Sequence, residues 1–264
     1  MEILGYISAI LIGLSLGLIG SGGSILTVPI LVYLFSVSPV TATSYSLFVV
    51  GLTALIGAAA YMRKDLVSYK TALVFAIPSF TAVFLTRKYL LPAIPDEIFT
   101  IGEFVYSKDL LIMLLFAVLM VLASVSMIKK NKKFEEAQVQ KFNYPMIMIE
   151  GFVVGILTGL VGAGGGFLII PALVVLAKLP MKLAVGTSLL IITAKSLIGF
   201  IGDLGEIDIE WFFLFKFSLF AVAGIFLGSY LSQFISGAKL KPAFGWFVLV
   251  MGIYIIGREI STSL

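Results

Sequence analysis

Two residue types are missing from this chain of 264 residues: it has no cysteine and no histidine. Without cysteine there is no disulfide framework and no thiolate metal site, and thiols say nothing about the redox compartment. Without histidine the chain lacks the commonest metal ligand and the side chain that most readily exchanges a proton near neutral pH. Charge is scarce too. Asp, Glu, Lys and Arg make up 12% of residues, where a soluble domain carries about 25%. There is no Ser–His pair, no metal-ligand cluster and no G-x-x-x-x-G-K-[ST] phosphate loop. The sequence therefore gives no grounds for an enzyme and calls for no cofactor. The net charge of +4 is too small to point to nucleic acid.

What the chain has is apolar surface. Hydrophobic residues make up 60% of it, more than a soluble fold of this length could hide, so the sequence predicts an integral membrane protein. A closed β-barrel would need short alternating segments. The apolar blocks here are long and continuous, at 3–36, 39–62, 68–91, 108–128, 144–177, 182–202, 210–235 and 240–260, which predicts helices. The first block has no basic n-region, since Glu2 is the only charge before Arg63; it reads as part of the mature fold and not as a signal peptide. A spanning helix needs about 20 residues. Six blocks fit one span each, whereas 3–36 and 144–177 are too long for one and too short for two.

These two long blocks are broken by glycine. The stretch VGAGGGFLIIPAL, Val161 to Leu173, places Gly or Ala at five of its first six positions. The blocks are also copies at an offset of 142: Gly13, Gly17, Leu18, Gly20, Gly22, Gly23, Leu26, Pro29 and Leu31 fall on Gly155, Gly159, Leu160, Gly162, Gly164, Gly165, Leu168, Pro171 and Leu173. The match continues with Ala42, Ser46 and Leu47 on Ala184, Ser188 and Leu189. The chain thus divides into repeats 1–128 and 144–264, joined by a basic linker 129–143 that holds five lysines against two glutamates.

Cytoplasmic loops carry excess Lys and Arg. The linker 129–143 and the loop Arg63-Lys64-Asp65 belong inside on this rule, as do Lys239 and Lys241. The acidic loop with Asp203, Glu206, Asp208 and Glu210 is then outside. Block 144–177 enters and leaves on the inner face, next to Lys178 and Lys182, and block 3–36 enters and leaves on the outer face. The expected fold is an all-α polytopic membrane protein of two inverted repeats. Each has one glycine-broken re-entrant hairpin plus three transmembrane helices, and both termini lie outside. A parallel repeat, with each broken block crossing once, is the alternative. A turn within the membrane needs irregular backbone, tolerated there only inside protein or beside a cavity. Transporters built from inverted repeats aim half-helix N-termini at anionic substrates from such breaks. Gly22, Gly23 and Ser24, and Gly164, Gly165 and Gly166, are the candidate anion cradle. Helix packing is the competing use of these glycines.

The motif G-x-x-G-x-G-G-G-x-x-x-x-P-x-L from Gly159 to Leu173, its twin with Ser24 from Gly17 to Leu31, and A-V-G-T-S-L at 184–189 resemble the TauE/SafE family of sulfite exporters. The resemblance covers nearly the whole chain. It implies a multi-pass protein of a prokaryotic plasma membrane that moves small sulfur-containing anions such as sulfite or sulfonates. The first half departs from the pattern, with Ser44-Tyr45-Ser46 where the second has Gly186-Thr187-Ser188.

Lys195 is the sharpest single signal. It stands at the centre of an apolar block, where a charge costs about 2.5–3.5 kcal/mol on insertion scales, and its repeat mate is the uncharged Thr53. A central cation with two helix N-termini suits a small anion. The hydroxyls of Ser44, Ser46, Thr187 and Ser188 could bind its oxygens, or satisfy their own helix carbonyls instead. Glu150 is the candidate for proton coupling, a counter-ion for Lys195, or a group that reaches the inner interface. Asp203, at a helix end, is expected to be solvated. The sequence reading is a secondary transporter working by alternating access, with proton or sodium coupling and a homo-oligomer both compatible with it. An anion channel or passive exporter, and a non-transporting assembly subunit in the bilayer, remain open.

Overall fold

The computed structural model describes residues 2–19, 21–101, 104–128, 144–175, 177, 179–231 and 237–263. The basic linker 129–143, together with Gly20 and Lys178, lies outside the described residues.

The architecture is helical. Helix α1 (Glu2–Ile19) passes through a 3-10 helix (Ser21–Leu26) into α2 (Thr27–Phe35). Helices α3 (Pro39–Met62) and α4 (Tyr69–Leu85) follow, and α4 continues through a π-helical turn (Thr86–Leu90) into the short α5 (Leu91–Ala93). The segment between the apolar blocks 68–91 and 108–128 contains an antiparallel hairpin of β1 (Glu97–Ile101) and β2 (Phe104–Ser107), which leads to α6 (Lys108–Ile128). The second half holds α7 (Tyr144–Val161), α8 (Gly166–Val175), α9 (Met181–Asp203), α10 (Trp211–Leu231) and α11 (Gly237–Ser263).

Local chemistry sets the boundaries. Ser38 caps α3 by accepting a hydrogen bond from the Thr41 amide (3.4 Å), with Pro39 at the first helical position. Pro180 stands immediately before α9. Ser36 ends α2 in the left-handed conformation. Five segments among the described residues are long and apolar enough to cross a membrane, at 39–62, 69–93, 108–125, 182–203 and 211–231. Large apolar side chains such as Phe212, Leu219 and Ile149 face outward, the arrangement expected where lipid replaces water. The chain is an all-α, multi-pass membrane protein apart from its small hairpin.

Packing follows the glycines. A methyl group added to Gly13 would strike the Ala221 carbonyl oxygen, and one added to Gly155 would strike that of Ser79. Ser79 and Ala221 are themselves 142 residues apart. The same offset relates the contacts of Gly57 with Leu189 and Ile225 to those of Gly199 with Leu47 and Val83. So α1 lies along α10 and α7 lies along α4, each first helix packed on a helix of the other half. The α3–α9 pair runs antiparallel, because residue 47 meets 199, 51 meets 197 and 57 meets 189. Across the first broken block, the rings of Tyr6 on α1 and Phe35 on α2 meet edge to face at 5.6 Å.

Candidate functional site

The centre of the molecule is where the two broken blocks meet the α3–α9 crossing. Between α7 and α8 the chain turns on Gly162, Gly164 and Gly165, at φ of +68°, +64° and +65°. Only glycine adopts this left-handed conformation without steric cost. The turn is wholly buried. A side chain at Gly164 would meet Val50 of α3 and Ile192 of α9, residues that are again 142 apart, and would come within 3.4 Å of Ser24 Cβ in the other break. The first break is built otherwise: Gly22, Gly23 and Ser24 lie inside the right-handed 3-10 helix.

Lys195 rises from the middle of α9 into this junction. It is 1% exposed. Its ammonium donates one hydrogen bond, 3.0 Å long, to the Thr158 hydroxyl on α7, and Thr158 in turn donates to the Val154 carbonyl (2.7 Å). An ammonium has three N–H donors, so two have no acceptor among the described residues. The absence of a side chain at Gly165 makes room for them, since a Cβ there would stand 2.6 Å from Lys195 Nζ and collide with Thr158. In α8 the Leu168 and Ile169 amides both donate to the Gly165 carbonyl (3.0 Å each), and the amides of Gly166 and Phe167 lie ahead of these first hydrogen bonds of the helix. A buried cation and a helix N-terminus attract negative charge together.

The remaining sequence candidates are spread along the crossing. Thr187 lies towards one end, where its hydroxyl accepts a hydrogen bond from the Ser68 amide (2.9 Å) and caps the start of α4. The Ser188 hydroxyl donates to the Val185 carbonyl of its own helix (2.8 Å). Thr53, which the register brings level with Lys195, likewise donates to the Val49 carbonyl (2.7 Å). Ser44 and Ser46 are buried towards the opposite end; the Ser46 hydroxyl has no hydrogen-bond partner among the described residues, and that of Ser44 lies against the Asp203 carboxylate.

Glu150 and Lys195 do not pair. Glu150 is half-buried on α7, eight residues before Thr158, which is about 12 Å along a helix and out of reach of the ammonium. The expectation for Asp203 is also corrected. Its carboxylate is buried at the end of α9 and forms an ion pair with Arg87 at 3.3 Å. Arg87 itself was passed over within the apolar block 68–91, although a lone Arg-Lys pair inside such a block was the signal that could have found it. A second ion pair, Lys88 with Glu206 at 2.7 Å, crosses between the same elements.

Fold and site together define a helical, multi-pass membrane protein with a buried cation at a backbone break. The family model described as sulfite exporter TauE/SafE matches residues 6–255, and the chain belongs to that family. A "probable membrane transporter protein" of Xylella fastidiosa is 31% identical over 255 residues, covering 94% of this chain and 92% of its own. The "probable membrane transporter protein YunE" of Bacillus subtilis is 29% identical over 271 residues, covering 95% and 94%. MJ0441 of Methanocaldococcus jannaschii, also named a probable membrane transporter protein, is 36% identical over 117 residues, 42% of this chain and 44% of its own. No solved structure matches. The protein is a membrane transporter of the TauE/SafE type.

Proposed function

We propose that the chain is a secondary transporter of small sulfur-containing oxyanions, such as sulfite or short sulfonates, and that it works by alternating access around Lys195. The observation that carries this reading is a fully buried ammonium with a single hydrogen bond among the described residues, placed where the two broken blocks meet. Lys195 neutralises the anion, and the amides at Gly164–Gly166 bind its oxygens. Gly22, Gly23 and Ser24 close the site from the other break. Thr158 holds the ammonium in place. Hydroxyls at Ser44 and Ser46 line one approach, and Thr187 and Ser188 stand along the other as structural supports of their helices.

Two inverted repeats, 1–128 and 144–264, organise the cycle. The contacts recurring at an offset of 142 and the antiparallel α3–α9 pair support this reading, because helices related by an axis in the membrane plane run in opposite directions. The Tyr6–Phe35 contact supports a re-entrant first block, with its two ends at one level. In this arrangement the Arg63-Lys64-Asp65 loop faces the cytoplasm and both termini face outward. Glu150 is the carboxylate nearest the inner half of α7 and serves as the proton-coupling candidate.

Uptake of radiolabelled sulfite into proteoliposomes tests the reading. Saturable flux that is inhibited by other sulfur oxyanions and lost in Lys195→Ala is the expected result. Flux that rises linearly with concentration would favour a passive pore. Unchanged flux in Lys195→Ala would remove Lys195 from the site.

A further inference from the structure

At the end of the crossing where α3 begins and α9 ends lies a cavity of about 300 Å³. It is roughly ten times the ~30 Å³ that one water occupies in the liquid. Arg87, Ser44 and Asp203 form its polar wall, and Leu91, Pro92 and Ile94 an apolar one. Arg87 is 1% exposed, yet none of its three guanidinium nitrogens completes a hydrogen bond among the described residues. Its one electrostatic partner among the described residues is Asp203, at 3.3 Å and poorly aligned for a hydrogen bond. The Ser44 hydroxyl lies against that carboxylate, close enough to donate to it. A guanidinium offers five N–H donors in a rigid fork, and leaving them unmatched in a buried place is costly.

The other carboxylates on this cavity are already matched. Asp96 takes Lys108 at 3.1 Å and Glu206 takes Lys88 at 2.7 Å. Lys108 also donates to the Ile94 carbonyl. The lining is therefore balanced pair by pair, and Arg87 keeps donors that no described residue accepts.

We propose that Arg87, with the Ser44 hydroxyl, is a second binding site for a small oxyanion, separate from Lys195. Asp203 is eight residues from Lys195 on the same helix, about 12 Å away, so the two sites do not share a ligand. The guanidinium fork fits two oxygens of a sulfite, sulfonate or carboxylate group. The aliphatic wall opposite accepts a short uncharged stem and disfavours a second charge. The ligand class is thus a small oxyanion headgroup of low charge, such as bisulfite, a sulfonate or a carboxylate, bare or on a small apolar tail. The argument stands on the surroundings of Arg87 and rests on the transport reading only for sulfite as one of the probes.

Titration calorimetry on the purified full-length protein, with sulfite and with methanesulfonate, tests it. The variant Arg87→Gln with Asp203→Asn removes both charges together and leaves no lone charge buried. It is expected to lose one of two binding events, or to weaken it at least tenfold, and Ser44→Ala should weaken the same event several-fold. Lys195→Ala should leave that event unchanged. If the double variant does not fold, Arg87→Lys keeps the charge but loses the fork, and weaker binding at an unchanged melting temperature gives the same answer. Wild-type stoichiometry and affinity in a folded double variant would overturn the proposal and leave the cavity to water. Loss of every binding event in Lys195→Ala would also overturn it while preserving the central site. Loss only in the Arg87 variants, with Lys195→Ala binding as wild type, would uphold this site and remove the central one.

Discussion

The two backbone breaks share a glycine spacing and solve it with different backbone. In the second half, Gly162, Gly164 and Gly165 turn the chain in the left-handed region. In the first, the matching Gly22 and Gly23 lie within a right-handed 3-10 helix. The side chains around them differ in step. Thr158 has Leu16 as its mate at the offset of 142, and Lys195 has Thr53. Leu16 and Thr53 are both buried, but neither brings a cation to the junction. The duplicated block thus supplies the same scaffold twice and the charge once. On the proposed transport of a small anion, one neutralising group at the centre is enough. A second buried ammonium without a counter-ion would add a further desolvation cost.

The comparison is broken most severely at Lys195. Lys195→Ala is expected to lower sulfite flux about 10- to 100-fold, the worth of charge-assisted hydrogen bonds of roughly 1.5–3 kcal/mol, measured in proteoliposomes. Thr53→Val, its mate, should leave flux within about twofold, because that hydroxyl serves only its own helix.

Gly165→Ala comes next. It must adopt a left-handed φ, at about 1–2 kcal/mol, and displace Thr158 and the ammonium. A lower melting temperature and at least tenfold less flux are expected. Gly23→Ala, at the matching position in a right-handed turn, should cost less than half as much in a thermal melt. Equal costs would mean that the two breaks are alike.

Thr158→Val keeps the shape and removes the hydroxyl that holds the ammonium. A several-fold rise in the half-saturating sulfite concentration is expected, in line with a hydrogen bond to a charged group, with a smaller change in maximal flux. Leu16→Val in the other half should change neither. The smallest perturbation tests the relation of the halves. Because the chain has no cysteine, single cysteines can be placed at Lys64 and at Asp208 and labelled from one side of the membrane. Labelling from opposite faces is expected for inverted repeats, and labelling of both from one face would contradict them.

Much of the fold was legible in the sequence. The apolar blocks match the helices because a bilayer demands long apolar runs with their hydrogen bonds made internally. The breaks were legible because glycine and proline interrupt those runs. Lys195 stood out because a charge in such a run is expensive. The spread of Ser44, Ser46, Thr187 and Ser188 was not legible. Their placement depends on α3 and α9 running in opposite directions, which puts the two hydroxyl clusters towards opposite ends of the crossing.

By itself the sequence determined that the chain lives in a membrane, that two of its apolar blocks share one glycine spacing, and where each of them is interrupted. These follow from composition and from periodicity along the chain. Only the tertiary structure decided what each buried charge faces: Thr158 for Lys195, 37 residues apart, and Asp203 for Arg87, on a different helix of the other half. Such pairs are chosen by how helices cross, and no local pattern encodes a crossing. A lone charge in an apolar run declares that it needs a partner, while the packing of the other half determines which one it gets.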